Sequence, residues 1–243
     1  MAHPRVMMVK ALKKAKVNRI AAKIYYKHIH GFNSAGKELP SVIEKCFNKA
    51  IELKTVDKGD YYEFGIFKGH TFAHACNFGQ QNDLNKMRYF GFDSFQGLPE
   101  IKGLDDTEEE NFYKGQYHAP KDRVISDISS TGVDWDDVFL IEGYFNQSLN
   151  IKTKKYYKIK KISIALIDCD LHSSTVEVLD FIKDMLIDNT ILIFDDYDTY
   201  DANDNLGQRR AFKDFLTENT NITCEEWFTY GAYGHVFIIN MRK

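Results

Sequence analysis

The sequence predicts an α/β protein built on a doubly wound, mostly parallel sheet of seven strands, preceded by an N-terminal helical arm. The first observation is that short apolar segments alternate with helical ones, as strand, helix, strand repeated five times. Two of these segments, residues 162–167 and 190–194, are strongly apolar, and the first is typical of a central strand. Residues 223–230 and 234–240 are predicted to be the last two strands, antiparallel because only a short turn joins them.

The bulk composition limits the kind of protein that this can be. With 243 residues, of which 44% are hydrophobic, the chain can form one large domain with a sizeable core. A formal net charge of −3 does not suggest a nucleic-acid partner, and no segment approaches the roughly 18 apolar residues of a transmembrane span. The four cysteines are far apart, and the N-terminus lacks the apolar segment of a secretion signal. We therefore expect a cytoplasmic protein without zinc or disulfides.

The N-terminal arm is predicted to cover residues 1–55, and the main domain residues 56–243. Within residues 5–30 there are eight basic residues and no acid, and apolar residues recur near helical spacing. We interpret this segment as a helix that packs on the domain or on a second subunit, which would give a homodimer. The alternative is attraction to an anionic membrane surface or an acidic partner. A second helix is predicted over residues 40–54.

The first strand of the domain leads into a glycine-containing turn. Glu63 lies near the end of the strand, Gly65 and Gly69 form the turn, and Thr71 is the predicted helix start. Because glycine has no Cβ, such a turn can bring backbone close to a ligand, and the helix directs its free N–H groups to the same place. A carboxylate here suits a cationic or hydroxyl-bearing ligand. The alternative is a purely structural turn, since similar turns close many βα units.

The second strand, predicted over residues 88–95, ends in an acid. Asp93 lies where ribose hydroxyls bind in nucleotide-binding α/β proteins, and a carboxylate accepts two hydroxyl hydrogen bonds well. The alternative is a turn or N-cap aspartate. The polar, acidic residues 101–121 form either a solvated surface or a lid over the site. A third strand is predicted over residues 138–143, and the lysine-rich residues 152–161 are predicted to be an exposed connection.

Carboxylates also follow the fourth and fifth strands. Asp168 and Asp170 follow the fourth, and Asp195 and Asp196 follow the fifth. Consecutive parallel strands are usually neighbours about 5 Å apart, so Asp168 is expected beside Asp195 and Asp196. Three carboxylates so close require a compensating charge, and all-oxygen ligation suits Mg²⁺, Mn²⁺ or Ca²⁺. The alternative is that one or two of these acids cap the helices that follow.

Five segments of the chain match motifs of a known family. They are residues 63–69 (EFGIFKG), 93–99 (DSFQGLP), 143–149 (GYFNQSL), 168–175 (DCDLHSST) and 194–197 (FDDY). The corresponding family patterns resemble E-x-G-x-x-x-G, D-S-F-x-G-L-P, G-x-F-x-x-T-L, D-G-D-x-x-x-S-T and D-D-Y. On these motifs the chain resembles the macrocin O-methyltransferase (TylF/MycF) family, S-adenosylmethionine-dependent enzymes that methylate sugar hydroxyls. The resemblance covers about residues 58–240 and implies a Rossmann-like methyltransferase fold.

The resemblance implies roles for individual residues. Asp93 is expected to contact the ribose of S-adenosylmethionine, with Ser94 and Phe95 near its adenosine. Asp168, Asp195 and Asp196 are expected to hold Mg²⁺ or another divalent cation. The full set of expected donor-binding residues is Glu63, Gly65, Phe67, Gly69, Thr71, Asp93, Ser94, Phe95, Gly143 and Asp168. The acceptor is expected to be a sugar hydroxyl on a polysaccharide, a nucleotide sugar or a glycosylated metabolite.

The expected reaction is in-line attack of an alkoxide on the sulfonium methyl group. Asp168 is expected to contribute to catalysis, Asp170 is the first candidate for the general base, and His172 is the second. A structural role for His172 in its helix is the alternative. Three other functions remain open: a metal-independent methyltransferase, a nicotinamide-dependent oxidoreductase, and a methyltransferase fold used only for binding. The oxidoreductase lacks its usual G-x-G-x-x-G motif here.

Overall fold

The computed structural model describes residues 35–84, 86–105 and 112–242. The predicted basic helix over residues 5–30 lies outside these ranges, as do residues 106–111 of the predicted lid. Among the described helices, none has the length and apolar character needed to cross a membrane.

Seven strands form one sheet in the order β3-β2-β1-β4-β5-β7-β6. All neighbouring pairs are parallel except the two made by β7, which is antiparallel to β5 and β6. The predicted fold class, including the neighbouring fourth and fifth strands and the C-terminal antiparallel pair, is therefore confirmed. The strands are β1 (Asp60–Phe64), β2 (Tyr89–Asp93), β3 (Val138–Glu142), β4 (Ile162–Ile167), β5 (Ile191–Phe194), β6 (Ile222–Tyr230) and β7 (Gly234–Met241).

The described helices are α1 (Ala35–Glu52), α2 (His70–Gln81), α3 (Lys121–Ser129), α4 (Phe145–Ser148), α5 (Ile151–Tyr156), α6 (His172–Ile182) and α7 (Gly207–Glu218). A short 3₁₀ turn covers Gly103–Asp105. Helix α1 begins at Ala35, five residues before Pro40, where its start was predicted, so the proline lies inside the helix. The lysine-rich connection contains α5, whose first turn is capped by the side chain of Asn150.

Helices cover both faces of the sheet. One apolar cluster packs α1, α2 and α3 against one face, and a second packs α6 and α7 against the other. Leu39, Val42 and Phe47 of α1 are buried in the first cluster, so the described part of the predicted arm packs directly on the sheet. The domain boundary at residue 55 stays a prediction.

The strand order changes direction between β1 and β4. In open α/β sheets, ligands bind outside the carboxyl ends of the strands at such a point. Phe64, Ile167 and Phe194 are paired in register at the ends of β1, β4 and β5. The residues that follow these three leave the sheet side by side, and the candidate site is built from them.

Candidate active site

The glycine turn after β1 packs backbone against backbone. Gly65 has a φ of 92° and Gly69 a φ of 80°, so both adopt the left-handed conformation that glycine tolerates best. A Cβ placed on Gly65 would lie 1.7 Å from the carbonyl oxygen of Asp168 at the end of β4. The turn can therefore approach β4 this closely only because residue 65 has no side chain.

Asp93 joins the two turns that follow β1 and β2. Its Oδ2 accepts the N–H groups of Ile66 at 2.7 Å and Phe67 at 2.9 Å, and its Oδ1 accepts that of Phe95 at 2.6 Å. Burial raises the pKa of this carboxyl, and the three N–H groups oppose the shift because they favour the ionised form. Asp93 thus lies against the glycine turn, and its contact with a ribose stays a prediction.

Glu63 is a buried carboxyl that lines a cleft outside the carboxyl ends of β1, β2, β4 and β5. Glu63 is only 1% exposed, and the hydroxyl of Tyr61 donates a hydrogen bond to its Oε2 at 2.7 Å. Burial raises the pKa of Glu63 to about 8, and the charges of Asp93 and Asp195 add to the shift. A cationic ligand beside this carboxyl would favour its ionised form.

The raised pKa of Glu63 makes a prediction about stability. Because the unfolded chain releases the proton near pH 4.5 and the folded protein near pH 8, this residue lowers the free energy of unfolding as pH rises through that window. Below the window the residue is protonated in both states and has no effect. We expect Glu63→Gln to remove this fall, as measured by urea denaturation at pH 5, 6.5 and 8. The exposed Glu218→Gln is the control, and parallel curves for wild type and Glu63→Gln would contradict the assignment.

Three carboxylates converge at the ends of β4 and β5. Asp168, Asp195 and Asp196 each offer one oxygen, and these three oxygens lie within 4.8 Å of one another. Burial raises the pKa of Asp168 well above its usual value, and repulsion from Asp195 and Asp196 raises it further. A set of three carboxylate oxygens is the donor type that Mg²⁺, Mn²⁺ and Ca²⁺ prefer, so the residues present fit a divalent cation.

The loop after β5 is held by a glutamine that sequence reasoning did not identify. The fully buried side chain of Gln208, in α7, accepts the backbone N–H of Asp196 at 3.2 Å and donates to the carbonyl of Ile167 at 3.1 Å. It thereby connects the ends of β4 and β5. No local motif marks this residue, because its partners are 12 and 41 positions away.

The two candidates for the general base occupy different positions. Asp170 lines the cleft, adopts a φ of 57°, and donates its backbone N–H to Asp196 Oδ2 at 3.0 Å. His172 begins α6 and is not among the residues that line the cleft. Burial lowers the pKa of His172, and its charged neighbours are Asp105, Arg210 and Asp214. The geometry therefore favours Asp170 over His172.

Asp105 has a role that the sequence did not indicate. It belongs to the acidic run interpreted as a solvated surface or a lid, yet it is only 3% exposed. Its carboxylate accepts the N–H groups of His172 at 2.6 Å and Ser173 at 3.2 Å at the start of α6. A capping residue usually lies next to its helix in sequence, whereas Asp105 lies 67 positions away, so no capping motif could have identified it.

The remaining predicted donor-binding residues lie around the same cleft, whose volume is about 1670 Å³. The lining includes Gly65, Phe67, Thr71, Asp93, Ser94 and Asp168. Gly69, Phe95 and Gly143 are not among the residues that line the cleft. The Ser94 hydroxyl donates to the carbonyl of Gly97 at 2.8 Å, which stabilises the turn after β2. The structure therefore brings most of the predicted residues together.

The sheet order, with its antiparallel β7, gives the chain the Rossmann-like fold of α/β methyltransferases. The O-methyltransferase NovP superposes with a TM-score of 0.70 at 17% identity, covering 84% of this chain and 79% of its own. The calicheamicin methyltransferase CalS11 superposes with a TM-score of 0.63 at 15% identity, covering 98% of this chain and 94% of its own. At these low sequence identities, the superpositions show that this chain shares the fold of NovP and CalS11.

The family is shown by the sequence. The model of the macrocin O-methyltransferase (TylF) family matches residues 28–225. The chain belongs to this family, and it is an S-adenosylmethionine-dependent O-methyltransferase. Among curated proteins, none matches the sequence.

Proposed function

We propose that this enzyme methylates a hydroxyl group of a sugar and requires a divalent cation held by Asp168, Asp195 and Asp196. The observation that carries the proposal is the convergence of these three carboxylates in the cleft that the glycine turn also lines. A cation bound there would lower the pKa of the acceptor hydroxyl and fix its orientation. The cleft volume of about 1670 Å³ exceeds the roughly 300–1,000 Å³ of typical ligand sites, which leaves room for a donor and an acceptor together.

The donor is proposed to bind at the carboxyl ends of β1 and β2. The turn containing Gly65 exposes backbone there, and Asp93 fixes that turn through the N–H groups of Ile66 and Phe67. The carboxylate of Glu63 is proposed to stabilise the positive charge of S-adenosylmethionine, because it lies in the same cleft and is buried away from water.

The acceptor is proposed to bind over the ends of β4 and β5. Asp170 lines the cleft next to the three carboxylates and takes the proton of the acceptor hydroxyl. The acceptor oxygen then forms a bond to the methyl carbon while the carbon–sulfur bond breaks, and the bonding electrons remain on sulfur. The products are a methyl ether and S-adenosylhomocysteine. The displacement requires the acceptor oxygen, the methyl carbon and the sulfur to be aligned, and the bound cation would help to fix the acceptor in that geometry.

The choice of a sugar acceptor has support beyond the cleft. The family is described by macrocin O-methylation, and one structure of CalS11, with a TM-score of 0.59 and 16% identity, is described as a TDP-rhamnose 3′-O-methyltransferase. Neighbouring sugar hydroxyls also suit a site of three carboxylates and a cation. A homodimer through the N-terminal arm and a cytoplasmic location stay predictions.

A methyl-transfer assay tests the proposal directly. Nucleotide sugars and glycosides would be assayed with S-adenosylmethionine in buffer containing Mg²⁺, and again in EDTA with and without excess Mg²⁺. We expect transfer to at least one sugar, loss of transfer in EDTA, and recovery when Mg²⁺ is restored. Full turnover in EDTA would favour the metal-independent alternative. Absence of heat on titration with S-adenosylmethionine would indicate that the donor site is lost. It would favour the alternative in which the methyltransferase fold serves only to bind a partner.

A further inference from the structure

We propose that Tyr230 is a positioning residue that holds the carboxylate of Asp195 in the cation site, an inference that rests on the proposed cation dependence. The hydroxyl of Tyr230 donates to Asp195 Oδ1 at 2.9 Å and lies 3.4 Å from the carbonyl oxygen of Phe194. Tyr230 is the last residue of β6, whereas Asp195 follows β5. The hydrogen bond therefore joins the ends of two separate strands, and not residues that are close in sequence.

The aromatic ring of Tyr230 reaches Asp195 by passing over β7. The sheet order places β7 between β5 and β6, and Gly234 of β7 is the residue paired with Tyr230. A Cβ on Gly234 would lie 2.3 to 2.5 Å from three atoms of the tyrosine ring. Gly234 is not among the glycines with a positive φ, so its backbone would accept other residues. The absence of a side chain at position 234 therefore serves to make space for the ring.

A β-bulge sets the face on which Tyr230 lies. The register passes from Glu226 paired with Phe237 to Phe228 paired with Val236, so Trp227 is an extra residue in β6. Strict alternation would place position 230 on the face where Cys224 packs, towards α6 and α7. After the bulge, Tyr230 instead packs in the cluster beneath α1, α2 and α3. Without this insertion its hydroxyl would point away from Asp195.

The hairpin that carries Tyr230 is fixed on two sides. Glu38 of α1 accepts the backbone N–H of Gly231 at 2.7 Å. The backbone N–H of Asp198 donates to the carbonyl of Tyr233 at 3.1 Å, which ties the hairpin to the loop after β5. The hairpin backbone next to Tyr230 is therefore held by contacts that do not involve Asp195.

This hydrogen bond opposes the repulsion within the carboxylate cluster. Asp168 and Asp195 repel each other, so a hydrogen bond that holds Asp195 in place opposes the separation of the two carboxylates. The Tyr230 hydroxyl donates to Asp195 Oδ1 at 2.9 Å and so holds this carboxylate in place. Mutation of a residue that hydrogen-bonds to a metal ligand typically lowers the affinity for the metal by about 10- to 100-fold.

The test is the affinity of Tyr230→Phe for Mn²⁺, measured by the electron paramagnetic resonance signal of free Mn²⁺ in the absence of substrate. We expect the Kd for Mn²⁺ and the Mg²⁺ concentration for half-maximal activity to rise by about 10-fold or more. At saturating Mg²⁺, kcat should recover to within a few-fold, and the Kd for S-adenosylmethionine should not change. Tyr89→Phe is the matched control, because Tyr89 is also buried and its hydroxyl has no hydrogen-bond partner among the described residues.

Gly234→Ala gives a second route to the same result. Its methyl group would displace the tyrosine ring, so we expect weaker Mn²⁺ binding although residue 230 is unaltered. Wild-type Mn²⁺ affinity in both variants, or a lower Tm with unchanged Mn²⁺ affinity, would overturn the role of Tyr230 and leave the cation dependence standing. A wild-type enzyme that binds no Mn²⁺ would overturn both.

Discussion

Replacing Asp168 with asparagine is expected to lower methyl transfer by about 10³-fold or more, which corresponds to roughly 4 kcal/mol of transition-state stabilisation. The substitution keeps the shape of the side chain and removes one of the three carboxylates that converge at the ends of β4 and β5. We expect the Kd for S-adenosylmethionine to change by only a few-fold, because the glycine turn and Asp93 are unaltered. Steady-state kinetics and calorimetry would measure the two effects separately.

The same variant should behave differently from the wild type in thermal unfolding. Without a cation, Asp168→Asn removes repulsion from Asp195 and Asp196, so its Tm in EDTA should equal or exceed that of the wild type. Adding Mg²⁺ should stabilise only the wild type, by about 2.7 kcal/mol at a concentration 100 times the Kd. This opposite response distinguishes loss of a cation ligand from loss of folding.

Asp188→Asn is the matched control for this experiment. Asp188 precedes β5 and is exposed, and its carboxylate accepts the backbone N–H of Met241 at 3.1 Å. Because β4 and β5 are parallel, Asp188 lies at the opposite end of these strands from Asp168. Equal activity losses in the two variants, or Mg²⁺ stabilisation of Asp168→Asn to the wild-type extent, would contradict the proposed cation site.

The sequence predicted the parts of the site that lie at strand ends. Asp168 and Asp195 could be placed side by side because consecutive parallel strands are usually neighbours and align their carboxyl ends. Asp93 could be placed near the glycine turn for the same reason. These inferences need only strand order and direction.

The parts that sequence reasoning missed depend on side chains that cross between elements. Asp105 caps a helix 67 residues away, and Gln208 connects the ends of two strands from α7. Tyr230 reaches Asp195 only because Trp227 is an extra residue that reverses the alternation of β6. The alternation of apolar and polar residues in β6 is weak, so an extra residue cannot be recognised from the sequence. The position of the bulge is known only from the pairing of β6 with β7.

Gly65→Ala is expected to be the most damaging of the conservative substitutions. The added Cβ would meet the carbonyl oxygen of Asp168 at 1.7 Å, and a φ of 92° is unfavourable for alanine. Relief requires the turn to move away from β4, which would displace both Glu63 and the backbone proposed to bind the donor. We expect a loss of roughly 3–5 kcal/mol in the free energy of unfolding and at least a 10-fold weaker Kd for S-adenosylmethionine. Urea denaturation and calorimetry would measure these changes.

Gly132→Ala separates the cost of the backbone conformation from the cost of the close approach. Gly132 has a φ of 87°, close to that of Gly65, but a Cβ there would meet nothing within 4 Å. It should therefore lose only the roughly 1–2 kcal/mol that a left-handed conformation costs an alanine, and donor binding should not change. The difference between the two variants measures the contact of the turn with β4. If both lost the same stability and both bound S-adenosylmethionine normally, the glycine turn would not be the part of the cleft that receives the donor.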